Sequence, residues 1–146
     1  MHPSLRYFLD PSLKGRGIRF GSPRQGDAGF DLKAAQDMIL ESGGQCLVPT
    51  GLKLAIPEGW VGLVKDRSSL ASRRIYTHGG VIDAGYRGEV KIILSNHGCQ
   101  SLQILAGDKI AQLVVSPCLT RSVEAEHEAD LGATERGESG FGSSGR

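Results

Sequence analysis

Asp83 and Tyr86 are the residues of this chain best equipped for chemistry. They place a carboxylate and a phenol three positions apart in GGVIDAGYRGEVKIILSN, Gly79 to Asn96. A carboxylate can orient and deprotonate a water, and a phenol offers a flat face to a ligand. Gly79, Gly80, Gly85 and Gly88 punctuate the same stretch and let bare backbone come close to whatever binds. The second half alternates: Val90, Ile92 and Leu94 face one way, Lys91, Ile93 and Ser95 the other. The stretch therefore reads as a Gly-rich hairpin that could receive a flat ligand. Equally, Asp83 could serve only to cap a turn.

A second candidate lies in DRSSLASRR, Asp66 to Arg74. Ser68 and Ser69 are good N-cap residues and Leu70-Ala71 good helix formers, which predicts one or two helical turns. The helix-start amides, two hydroxyls and Arg67 together make an anion site suited to phosphate. An ordinary cap beside a surface arginine would use the same residues, and Arg73 and Arg74 read as solvated charges.

Three further positions complete the candidate set. Asp31, between Phe30 and Leu32 in GDAGFDLKAA, either faces a site or pairs with an arginine. Gln112 sits between Ile110 and Val114 on the side expected to be buried, so its amide must hold backbone or ligand. The last residues, ERGESGFGSSGR, are too rich in Gly and Ser to order alone. With Arg136 and Phe141 among them, they hold what a lid over a phosphorylated base would need.

These residues need a frame. The 146-residue chain predicts one domain with its own core, residues 1–134, followed by a flexible C-terminal arm, 135–146. Strands are expected at Met38 to Leu40, Leu47 to Ile56, Trp60 to Val64, Ser101 to Leu105 and Asp108 to Pro117. An edge strand or arm is expected around Leu5, Tyr7, Phe8 and Leu9. Such spacing, with Gly and Pro turns and no long helical period, indicates an all-β sandwich or barrel with one short helix. Trp60 reads as core or interface packing, and residues 122–134 as an acidic surface connector.

Composition excludes several classes. A formal net charge of +1 gives no global basic field for nucleic acid. Cys46, Cys99 and Cys118 form no CxxC pair and read as small buried hydrophobes of a reducing compartment. The four histidines lack ligand spacing for zinc. Neither a signal peptide nor a membrane-spanning stretch is visible, so the expectation is a cytoplasmic protein without membrane contact.

Taken together, five motifs resemble those of the homotrimeric dUTPase family: AGFDLKAA, DRSSLA, GGVIDAGYRGEV, GDKIAQLVV and RGESGFGSSG. They span Ala28 to Gly145 in the family's order. The resemblance implies a jelly-roll-like (β-clip) subunit in a C3 homotrimer with sites shared between subunits. It implies Mg²⁺-dependent hydrolysis of dUTP to dUMP and pyrophosphate, which supplies dUMP and keeps uracil out of DNA. By the same resemblance, Asp83 would be the general base and Tyr86 would lie under the deoxyribose. The backbone of Gly80, Val81 and Ile82 would read the uracil edge. Arg67, Ser68 and Ser69 would hold phosphates, with Gln112 near the α-phosphate. Arg136 would bind the γ-phosphate, Phe141 stack on uracil, and Gly142 and Ser143 close on the phosphates. Asp31 would support the water shell of Mg²⁺, itself held mainly by the triphosphate. Thr77 and His78 fall where family members vary and often add a substrate contact. Ser139, standing where the tail usually has Gly, and Lys65-Asp66 before Arg67 depart from the pattern.

Two alternatives remain at this point. A dCTP deaminase shares the fold but carries a catalytic Glu where this chain has Ile93, and an aliphatic side chain shuttles no proton. A non-catalytic jelly-roll module would be expected to lose Asp83, Tyr86 or the tail, and all are present.

Overall fold

Alternation of apolar and polar side chains builds most of this molecule. In the computed structural model, which describes residues 3–128 and 133–134, ten strands form three antiparallel sheets. Sheet A runs in the order β1 (Arg6–Leu9), β4 (Gln45–Ala55), β8 (Glu89–Asn96), β6 (Ile75–His78). Sheet B runs β2 (Phe30–Lys33), β10 (Lys109–Pro117), β5 (Trp60–Lys65), β7 (Val81–Ile82). A small third sheet pairs β3 (Met38–Leu40) with β9 (Leu102–Ile104). The sheets stay open, so this is a jelly-roll-like sandwich rather than a closed barrel.

One apolar core takes side chains from all three sheets. Leu52, Leu54, Val90, Ile92 and Leu94 come from sheet A, Leu32, Val64 and Leu113 from sheet B, Leu40 and Ile104 from the third. Each is at most 8% exposed, and burial of this kind contributes about 25 cal/mol per Å² of apolar surface. Trp60 is half-buried and packs against this core.

Three expectations are corrected. Among the described residues there are two short α-helices rather than one. α1 (Pro11–Gly15) starts with Asp10 accepting from the Ser12 backbone N–H at 2.9 Å, and with Pro11 in the first turn, where its missing N–H costs nothing. The stretch Gly79–Asn96 is not a simple hairpin. β6 and β8 pair in sheet A, while β7 between them pairs with β5 in sheet B. Gly79 and Gly80, at φ 66° and 93°, make that change of sheet. A side chain at Gly80 would also meet the Val64 carbonyl at 3.0 Å. The cysteines are not uniformly buried either: Cys46 and Cys118 are half-buried and Cys99 is exposed, on the loop after β8 where no strand covers it.

Residues 122–127 run exposed and without regular structure beyond a 3₁₀ turn at Thr120–Ser122, as a surface connector would. The expected arm at 135–146, with Arg136, Phe141, Gly142 and Ser143, lies outside the described residues.

Candidate functional site

The candidate residues fall into two groups at opposite edges of sheet B. Strand order puts β2 and β7 three steps apart, roughly 14 Å at the usual spacing of neighbouring strands.

The first group lines an open groove of about 880 Å³. Antiparallel pairing sets Gln112 of β10 beside Asp31 of β2 and Lys65 of β5. A register shift between Lys109 and Ala111 breaks the simple alternation, so Ala111 and Leu113 are buried and Gln112 is only half-buried. Its amide donates to the Asp66 carbonyl at 2.9 Å, the backbone partner that a half-buried amide needs. Its Oε1 lies so close to Gly29 that a Cβ there would meet it at 2.8 Å.

Around the same groove stand Arg67, Ser68 and Ser69 at the start of α2 (Ser68–Ala71). The N-cap is Arg67 and not a serine, and no side chain caps the helix. Both serine hydroxyls lack a hydrogen-bond partner among the described residues and remain available to a ligand. Arg67 donates through Nη1 to the Lys109 carbonyl at 3.1 Å, and its Nε lies 3.8 Å from Asp31. Lys109 approaches the other Asp31 oxygen at 2.7 Å. Asp31 is thus held between two cations and keeps a side chain 40% exposed.

The second group lines a cleft of about 310 Å³ that shares no residue with the first. Val81, Ile82, Asp83 and Tyr86 form it with Leu47, Glu89, Val90 and Lys91. The Tyr86 N–H donates to the Asp83 carbonyl at 3.0 Å and closes a turn. The Asp83 carboxylate is exposed and accepts no hydrogen bond among the described residues, so capping does not occupy it. The Tyr86 hydroxyl donates to the Glu89 carbonyl at 3.0 Å, which fixes a ring that is 44% exposed. Arg87 reaches back to the carbonyls of Ala84 and Tyr86, at 2.7 and 2.8 Å, and stiffens the turn. The Gly80 carbonyl accepts from Val64 at 2.7 Å. Because β7 ends sheet B, its outer backbone groups have no neighbouring strand and can meet a ligand edge.

Thr77 is occupied elsewhere. Its N–H and hydroxyl both donate to Asp66 Oδ1, at 2.7 and 2.6 Å. His78 faces the Ser95 hydroxyl at 2.6 Å. Asp66 therefore ties Gln112 and the groove to β6, a role its sequence context did not announce. Arg87, Glu89 and Lys109 were likewise missed. Glu89 accepts from the backbone N–H groups of Thr50 and Gly51, at 3.1 and 2.8 Å, at a break in the β4–β8 ladder that no local pattern reveals.

Among the described residues no three His, Cys, Asp or Glu side chains gather into a metal site. Asp31 nevertheless fits a water-mediated contact with a hydrated cation, since its carboxylate can accept about four hydrogen bonds and its side chain stays 40% exposed. No helix of the described residues is long and apolar enough to cross a membrane.

An all-β sandwich with a cationic groove at one sheet edge and a carboxylate–phenol cleft at the other defines the class. The family model for dUTPase matches residues 19–145, and the chain belongs to the dUTPase family. It is 43% identical to the deoxyuridine 5'-triphosphate nucleotidohydrolase of Debaryomyces hansenii, over 98% of this chain and 88% of that protein. It is 50% identical to that of Mycobacterium marinum, over 82% of each. Among solved structures, the Staphylococcus bacteriophage 80alpha dUTPase with dUpNHpp superposes with a TM-score of 0.87 at 29% identity, covering 99% of this chain and all of that one. The native EIAV dUTPase gives a TM-score of 0.73 at 29% identity, covering 88% of this chain and all of that one.

Proposed function

We propose that the protein hydrolyses dUTP to dUMP and pyrophosphate at a site completed by a second copy of the chain in a C3 trimer. The supporting observation is the division of the candidate residues between two clefts that share no lining residue. One cleft offers hydroxyls and cations for phosphates; the other offers a free carboxylate, a fixed phenol and unpaired strand-edge backbone.

In this reading Arg67, Ser68, Ser69 and Gln112 of one copy bind the triphosphate. Asp83 and Tyr86 of another present a water and a sugar platform. The backbone of Gly80 and of β7, Val81 and Ile82, meets the uracil edge, and Tyr86 leaves no room for a ribose 2′-hydroxyl. Substitution at phosphorus depends on positioning and charge neutralisation, which fixed donors in a groove supply. Asp83 holds the attacking water and takes its proton. Asp31 would support the water shell of a Mg²⁺ ion brought by the triphosphate, and that ion would supply charge neutralisation when bound. Arg136, Phe141, Gly142 and Ser143 then cover the γ-phosphate and the base. Thr77 and His78 line neither cleft and are committed to Asp66 and Ser95.

The test is incubation with dUTP, dCTP and dTTP in Mg²⁺, assaying pyrophosphate and ammonia. Backbone readout leaves buried groups unpaired against the wrong base, so pyrophosphate is expected from dUTP alone. Ammonia from dCTP would point to the deaminase alternative, and silence with every nucleotide to a binding module.

A further inference from the structure

The groove beside Asp31 is more cationic than the phosphate-binding residues named so far account for. Five cations line it, Arg19, Arg24, Lys33, Arg67 and Lys109, against two carboxylates, Asp27 and Asp31. Arg67 and Lys109 are engaged by Asp31. Arg19 and Arg24 have neither an acidic nor a carbonyl partner among the described residues, yet both reach the groove from the segment preceding β2.

That segment is anchored. Ile18 and Phe20 flank Arg19 and are buried, which fixes the backbone between them and sends the arginine outward. Phe20 stacks on Phe30 with ring centroids 5.4 Å apart and meets Tyr7 edge-on at 5.1 Å. Phe30 immediately precedes Asp31, so the position of Arg19 relative to the groove floor is set by a packed aromatic trio. Arg24 opens a tight turn in which the Asp27 N–H donates to its carbonyl at 3.0 Å. Two guanidinium groups without a partner among the described residues, lining the same groove as the free hydroxyls of Ser68 and Ser69, suit the bidentate contacts that phosphate takes.

We infer that Arg19 and Arg24 form a subsite for the terminal phosphates of a phosphoanhydride chain, making this wall a determinant of triphosphate over monophosphate binding. The inference rests on the dUTP reading for the identity of the substrate and on the groove alone for the chemistry of the ligand. The subsite is built within the described fold, and it acts in addition to whatever the residues beyond Thr134 contribute.

The experiment compares the full-length protein, the Arg19→Gln/Arg24→Gln variant and the Arg19→Lys/Arg24→Lys variant. Calorimetric titration with inorganic tripolyphosphate and with dUMP needs no turnover, so it decides the subsite even if dUTP is not the substrate. Losing two charge-assisted contacts should weaken tripolyphosphate about tenfold in the Gln variant, with dUMP binding and melting temperature unchanged. The Lys variant keeps the charge without the planar fork and should recover part of that loss. If dUTP is turned over, KM should rise in parallel and kcat should change less. Wild-type protein that fails to bind tripolyphosphate overturns the inference. Equal binding by wild type and Gln variant, or equal loss of tripolyphosphate and dUMP, does the same.

Discussion

Asp31 and Asp83 stand at opposite edges of one four-stranded sheet, Asp31 on β2 and Asp83 one residue beyond β7. Each has its own cleft, and the two clefts have no residue in common. On the proposed reading each cleft is half of a site, and a closed cyclic assembly would bring unlike halves together. Light scattering at assay concentration should give a trimer. A stable monomer with full activity would contradict this arrangement.

Asp83→Asn should bind nucleotide and keep its melting temperature, because the exposed carboxylate makes no hydrogen bond inside the described fold. The amide cannot accept the water's proton, so kcat should fall ~10²–10⁴-fold, the usual range for a general base. The paired measurements are calorimetric binding of a non-hydrolysable dUTP analogue and single-turnover kinetics. Unchanged turnover would return Asp83 to a purely structural role.

Gly29→Ala isolates Gln112. The new methyl would start 2.8 Å from Gln112 Oε1, the movable end of the side chain, and 3.3 Å from its Cβ, so the fold should lose about 1–2 kcal/mol. The displaced amide would lose its bond to the Asp66 carbonyl and its place in the groove. We expect KM for dUTP to rise about tenfold, the cost of roughly one hydrogen bond to a charged group. Thermal melting alongside steady-state kinetics checks both halves.

Truncation after Thr134 removes the Gly- and Ser-rich segment with Arg136 and Phe141. A lid that excludes water and adds an arginine to the phosphates is dispensable for folding and needed for rate. The shortened protein should remain a trimer with an unchanged melting temperature and lose most of its turnover. Full activity after truncation would show that the tail is not a lid.

Much of the sandwich was legible because period-2 alternation survives wherever a strand has one buried face. Leu52, Leu54 and Ile56 and then Val90, Ile92 and Leu94 point inward as their spacing predicts. Alternation says nothing about which sheet a strand joins, and so the excursion of β7 into sheet B was hidden inside what reads as a hairpin. α1 carried a readable signature, Asp10 followed by Pro11, but five residues are too few for a helical period to show. Ser68 and Ser69 have the chemistry of caps, and the cap fell one residue earlier because the backbone of Arg67 is still extended, at φ −90° and ψ 131°. The least visible feature was the groove wall of Arg19 and Arg24. Its placement depends on Phe20 packing against Phe30 and Tyr7, contacts between segments that only the fold brings together.

Subunit complementation tests the central claim most directly. Asp83→Asn disables one cleft and Arg67→Gln the other, and each variant alone should be nearly inactive. Co-assembled in equal amounts, random mixing would pair an intact Asp83 of one copy with an intact Arg67 of another at about a quarter of the sites. Turnover of dUTP should then recover to about a quarter of the wild-type rate. Mixed assemblies no more active than either variant alone would show that a single copy holds the whole site.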